Sequence, residues 1–259
     1  MRAFLPRLIR TWRLSICISN RNNLFFTMKI TKDTKRIALF PAHGYSNGVK
    51  TKCRLLTPGV LLACCMLSAH GATDDWPHVR GPNWDGRAPA TAFNPRWQAS
   101  GPRILWRAQV GEGYSGVIAA KGRVYTQDQN LGGQYVVCLD LRDGRELWRT
   151  RYEWPWELNG DWPGPYASPT YSDGRIFFAG CFGTVGCLDA DSGRLIWSVD
   201  LDKDLGLKLP GFGYATTPLA WGGKIFVTAA EPDGTVLALD AADGRLLWRK
   251  GTGPAGYCS

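Results

Sequence analysis

"VVCLDLRDGRELWR" (136–149), "VGCLDADSGRLIWS" (185–198) and "VLALDAADGRLLWR" (236–249) align without a gap. Their tryptophans, Trp148, Trp197 and Trp248, stand 49 and 51 residues apart. A second element precedes each: "AAKGRVYTQ" (119–127), "YSDGRIFFA" (171–179) and "AWGGKIFVT" (220–228). A third opens each unit: "GYSG" (113–116), "PYAS" (165–168) and "GYAT" (213–216). Three elements in one order at a period near 50 mark an array of equal supersecondary units.

Each unit reads as four strands. An apolar strand follows the Tyr. A Gly-Arg or Gly-Lys turn then leads to a β-branched and aromatic strand such as "RIFFA". A third strand ends in Leu-Asp, and an Asp-Gly or Ser-Gly turn leads into the Trp strand. Short strands joined by hairpins make a small antiparallel sheet that must stack on its neighbours to bury both faces. The expected fold is all-β, a propeller of four-stranded antiparallel blades. About three blades are present, which leaves the ring incomplete.

The recurring polar and aromatic positions have structural work to do. Asp140, Asp189 and Asp240 sit where a strand enters a turn, and a carboxylate there accepts turn N–H groups. Gly144, Gly193 and Gly244 complete those turns. Trp148, Trp197 and Trp248 supply large rings to cover a neighbouring sheet. An active site is built once, so threefold recurrence argues for structure over catalysis.

The pattern at Cys138, Asp140, Gly144 and Trp148, at Cys187, Asp189, Gly193 and Trp197, and at Ala238, Asp240, Gly244 and Trp248 resembles the tryptophan-docking motif of pyrroloquinoline quinone (PQQ)-type propellers. The Thr usual before the Gly is replaced by Asp143, Ser192 and Asp243. The stretch "DWPHVRGPNWDG" (75–86) is similar to the start of exported PQQ-like repeat proteins. The resemblance covers about residues 75–259. It implies the propeller fold. It implies no single activity, because this repeat builds both quinone-dependent dehydrogenases and non-catalytic scaffolds such as the outer-membrane assembly lipoprotein BamB.

The chain's net charge of +9 belongs to its leader. Residues 1–72 carry a balance of +11 and residues 73–259 one of −2. The body therefore has no global field for phosphate backbones, and nucleic acid is not an expected partner. Residues 1–48 read as a gene-start overcall or a disordered basic arm. Residues 49–72 read as a signal peptide: Lys50, Lys52 and Arg54, then the apolar run "LLTPGVLLACCMLSA" (55–69), then small residues before Gly71 and Ala72. A lipobox-like "LLAC" would make Cys64 a lipid anchor, and retention as an uncleaved anchor is the third reading. Residues 73–102 read as an extended segment. The propeller spans 103–259: a lone closing strand over 103–110, blades over 113–150, 165–199 and 213–250, and the start of a further blade at 256–259. "GYCS" (256–259) repeats the unit-opening element, so the expectation is a partial chain.

Cys138 and Cys187 share a register with Ala238, which marks a small buried position, and they are expected to be unpaired thiols. Chemistry is sought in the unequal pieces, the connections "RYEWPWELNGDWPGPY" (151–166) and "LDKDLGLKLPGFGY" (201–214). Both join consecutive blades and so share a face, where binding concentrates. The first supplies the candidate ligand-binding residues Trp154, Trp156, Glu157, Asn159, Asp161, Trp162 and Tyr166. Aromatic rings beside amide and carboxylate groups suit a sugar, a peptide or a quinone, and the oxygens suit Ca²⁺. The alternative is that these rings pack the loop onto the propeller. No catalytic residue and no metal ligand is assigned. His78 is the only histidine after residue 72, which leaves His-dependent triads and multi-His zinc sites without parts. The expected function is an exported, non-catalytic scaffold for protein or glycan partners. The alternative is part of a PQQ-dependent dehydrogenase oxidising alcohols or sugars, with PQQ and Ca²⁺ as cofactors.

Overall fold

The computed structural model describes residues 12–20, 23–29, 75–88, 99, 101, 103–158, 160–229, 236–252 and 256, with strand positions alone over 12–29. The readings at 49–72, at Asn159 and at Cys258 lie outside the described residues.

Each repeat folds into one four-stranded antiparallel sheet. The first consists of β4 (Ile118–Ala120), β5 (Arg123–Asn130), β6 (Gly133–Asp140) and β7 (Glu146–Glu153). The second holds β8 (Thr170–Ser172), β9 (Arg175–Ala179), β10 (Thr184–Asp189) and β11 (Leu195–Asp200). The third holds β12 (Leu219–Trp221), β13 (Lys224–Thr228), β14 (Val236–Asp240) and β15 (Leu246–Lys250). Spatial order follows chain order in each of these three sheets, so each is a meander. β4 touches β8, and β8 touches β12, so the first strands cluster on the inside of a β-propeller arc. Among the described residues the arc does not close into a ring.

The turn after each first strand carries two left-handed residues: Lys121 and Gly122, Asp173 and Gly174, Gly222 and Gly223. Such pairs match the twist of a two-residue hairpin. The following Arg reaches the next blade: Arg123 donates to the Ala190 carbonyl, and Arg175 to the Ala241 carbonyl.

The core lies between blades. Val124, Val137 and Leu139 pack with Trp106 on one side of the first sheet. Ile118, Tyr125, Val136 and Cys138 meet Ile176, Phe178 and Leu188 on its other side. Phe177, Val185 and Cys187 then meet Ile225, Leu237 and Leu239. Residues 176–179 of "RIFFA" are all apolar because alternate side chains enter opposite interfaces, Ile176 and Phe178 one and Phe177 and Ala179 the other.

The repeated tryptophans sit at these interfaces. The Trp148 indole N–H donates to the Ala190 carbonyl at 3.2 Å, and that of Trp197 to the Ala241 carbonyl at 3.1 Å. A Cβ on Gly193 or Gly244 would run into the Trp148 or Trp197 ring. Each ring thus covers the next blade's turn, where φ of about +70° or more also favours glycine. Asp140, Asp189 and Asp240 each accept a turn N–H at 2.8 Å. Cys138, Cys181 and Cys187 are buried thiols.

β3 (Arg103–Val110) repeats this contact: Trp106 donates to the Leu141 carbonyl at 2.9 Å, and its ring lies on Gly144. The sequence leaves this strand alone. The structure pairs its edge with β1 (Trp12–Asn20), which pairs with β2 (Asn23–Lys29). Both strands fall in the stretch read as an overcall or disordered arm. Their Ile- and Phe-rich sequence suits strand pairing, and an open edge of N–H and C=O groups provides the template.

Candidate functional site

Strand direction alternates within a meander. The connections between blades and the turns joining second to third strands therefore emerge at one end of the sheets. That face carries residues 111–117, 130–133, 151–169, 180–183 and 201–218.

Buried polar side chains from β5, β6 and β7 hold its first connection. Gln129 forms a two-point clip on Trp156, accepting its N–H and donating to its carbonyl, each at 2.7 Å. Gln134 donates to the Trp154 carbonyl at 2.9 Å and to the Glu153 carboxylate at 3.1 Å. Glu153 reaches across to the second blade, where it accepts the Phe182 N–H at 3.0 Å and the Thr184 N–H at 2.7 Å. Gly180 lies against this carboxylate, where any Cβ would overlap it. Asp128 accepts the Gly111 N–H and pairs with Arg149, each at 2.6 Å. Burial pushes the Glu153 and Asp128 carboxyls above the usual carboxylate range. It also raises the Cys181 thiol and lifts the Tyr166 phenol to about 12.

The candidate residues divide. Trp154 is 70% exposed with the Arg151 guanidinium 4.4 Å from its ring centre, a cation–π contact. Trp162 is 60% exposed, with the Tyr114 ring 6.5 Å away. Tyr166 lies 6.1 Å from Tyr114 and donates its hydroxyl to the Trp162 carbonyl at 2.6 Å, so Trp162, Tyr114 and Tyr166 form one group. Glu157 and Asp161 are exposed around the tight turn closed by Gly160. Trp156 turns inward instead. It meets Phe182 edge-on at 4.9 Å, and its indole nitrogen faces the Tyr166 hydroxyl without a hydrogen bond of good geometry. Packing between Gly164 and Gly213 makes Trp156 the loop's anchor.

Sequence reasoning missed Tyr114, Arg151 and Phe182 as surface residues, and Gln129, Gln134 and Glu153 as the clips beneath them. One signal was available: "QDQN" (127–130) continues the first unit's second strand where the other units are apolar. The second connection adds Leu209 and Phe212 to the same face, and the first turn adds Leu131, all exposed.

Stacking faces, a guanidinium and two exposed carboxylates suit recognition of a partner or ligand. Among the described residues no three His, Cys, Asp or Glu side chains converge as a metal-binding group. Among the same residues no helix is long and apolar enough to cross a membrane.

Residues 132–258 match the family model described as the outer membrane protein assembly factor BamB. The chain is similar to the quinohemoprotein alcohol dehydrogenase of Comamonas testosteroni, 33% identical over 95 residues. It is also similar to quinohemoprotein alcohol dehydrogenase ADH-IIG of Pseudomonas putida, 34% identical over 97 residues. These matches cover 34% and 37% of this chain, and the chain spans 13% of each relative's length. Among solved structures, the Comamonas testosteroni enzyme aligns with a TM-score of 0.52 and 19% identity, covering 69% of this chain and 27% of that one. That likeness is one of fold.

Proposed function

We propose that this chain is an exported, non-catalytic binding module whose connection-bearing face engages a protein or glycan partner. One observation carries the reading: Trp154, Trp162 and Tyr114 are held exposed on a face whose backbone is fixed from below by Gln129, Gln134 and Glu153. Aromatic rings held rigidly at a surface lose little entropy on binding, which is how recognition surfaces gain affinity. Asp128 and Glu153 under that face are buried and paired, so they support the surface rather than react. Export rests on the leader over 49–72, with membrane attachment through Cys64 as its lipidated form. The match to the assembly-factor family supports a protein as the first partner to seek.

Photo-crosslinkers placed at Leu131 or Trp162 test this in cells. Adducts of one defined size should form from these positions and be absent from Asp143 and Asp191 on the opposite turns. Equal adducts from both faces would overturn the reading.

A second reading is favoured by the dehydrogenase relatives: a portion of a PQQ-dependent oxidoreductase acting on alcohols or sugars. It places the cofactor donors outside the described residues. Dye reduction by the full chain that requires both added PQQ and Ca²⁺ would establish it and displace the scaffold.

A further inference from the structure

The first strand of each blade presents one edge to its own second strand and the other to the inside of the arc. In the first two blades that inner edge is occupied. Trp76 and Ala119 exchange both backbone hydrogen bonds, at 2.7 and 2.9 Å, and the Tyr171 N–H donates to the Pro77 carbonyl at 2.7 Å. Asp75 fastens the end of this segment by accepting the Lys121 N–H at 3.0 Å. Residues 75–77 thus lie as an extended strand across β4 and then β8.

Register explains why these residues are used. Ala119 lies opposite Val124, Tyr171 opposite Ile176 and Ala220 opposite Ile225, each one step in from a two-residue turn. In an antiparallel pair that position is the non-hydrogen-bonded one, so its N–H and C=O point away from the partner strand. Ala119 spends both groups on Trp76, and Tyr171 spends its N–H on Pro77. Ala220 stands in the same register with the same outward groups, and no described segment lies along its edge. Ala119 is 2% exposed under Trp76, whereas Ala220 is half-buried beside Trp221, which is 71% exposed. A further blade would not cover this edge, because blades stack face to face and the inner edges stay turned to the axis.

We propose that the inner edge of β12, centred on Ala220 and flanked by Trp221, captures an extended peptide segment of a partner protein by strand addition. The site is separate from the connection-bearing face and stands without it. The peptide continues the interface that residues 75–77 already make on β4 and β8. Its backbone meets the Ala220 N–H and C=O, and Trp221 lies over an apolar or proline side chain. Recognition through the backbone is tolerant of sequence, so the chain's own segment serves as the probe.

The experiment uses the full chain and a fluorescent peptide of sequence TDDWPHVR (73–80). Saturable binding is expected. Hydrogen exchange should slow at the Ala220 amide on peptide addition. Ala220→Pro removes only the outward N–H, a substitution edge strands tolerate, and should weaken binding about tenfold or more. Trp221→Ala should weaken it less. Should Ala220→Pro fail to fold, exchange on the unsubstituted chain decides. No binding, no slowing at Ala220, or binding that Ala220→Pro leaves unchanged would each overturn the proposal. Slowing confined to Ala119 and Tyr171 would also overturn it, because the peptide would then merely replace the resident segment.

Discussion

At the residue scale, two buried side chains carry measurable consequences. Glu153 accepts two N–H groups of the next blade and one from Gln134, so both carboxylate oxygens are engaged. Glu153→Gln puts an amide N–H against a donor and should cost about 2 kcal/mol, the range for hydrogen bonds to a buried charge. Urea unfolding of the two proteins measures it, and an unchanged midpoint would show that the clasp contributes nothing. His78 is buried, stacked on Trp84 at 3.3 Å, and held neutral: burial lowers its pKa from 6.5 to about 4. Between those values the unfolded chain binds the proton and the folded chain does not, so stability falls as pH drops. His78→Phe keeps the stacked ring and cannot titrate. The difference in melting temperature between this variant and the unsubstituted protein should widen in the variant's favour from pH 6.5 down to 4. A constant difference would refute the assignment.

At the scale of the elements, the fold is a chain of identical joints. Each joint is a tryptophan lying on the next blade's glycine turn, with its N–H on the carbonyl after the turn aspartate. Trp197 is 8% exposed, and Trp197→Ala should cost about 3–5 kcal/mol, as for other large core truncations. Gly193→Ala combines a left-handed φ of 70° with overlap on the Trp148 ring. It should destabilise by roughly 1–3 kcal/mol. Both values come from chemical denaturation. A loss in Gly193→Ala that persists when Trp148 is also Phe would assign the cost to backbone strain, and a smaller one to the ring contact.

For the whole molecule, stability and recognition should separate on the connection-bearing face. Trp154→Ala with Trp162→Ala removes two exposed rings and should change stability by no more than about 0.5 kcal/mol, as surface substitutions do. Partner adducts from Leu131 should fall sharply. Trp156→Ala should do the reverse and destabilise first, because that ring joins Phe182 to the loop. Circular dichroism melts beside the crosslinking yields read both quantities, and equal behaviour of the two variants would remove the distinction between surface and anchor.

The sequence by itself determined the period, the four-stranded unit and the joints. Each depends on hairpins within one repeat and on contact between adjacent repeats, so the information is local and is written three times. The candidate residues of the first connection were legible as a group, because a run holding Trp154, Trp156, Trp162 and Tyr166 stands out from the repeat. Their orientation was not legible. Whether a ring points out or in is settled by Gln129, Gln134 and Glu153, which come from three strands, and by Phe182 of the next blade. None of these positions repeats, so no pattern announces them. The segment at 75–77 is the clearest case: it reads only as an extended run. Its hydrogen bonds to Ala119 and Tyr171 span more than 40 residues, and only the assembled arc brings those edges together.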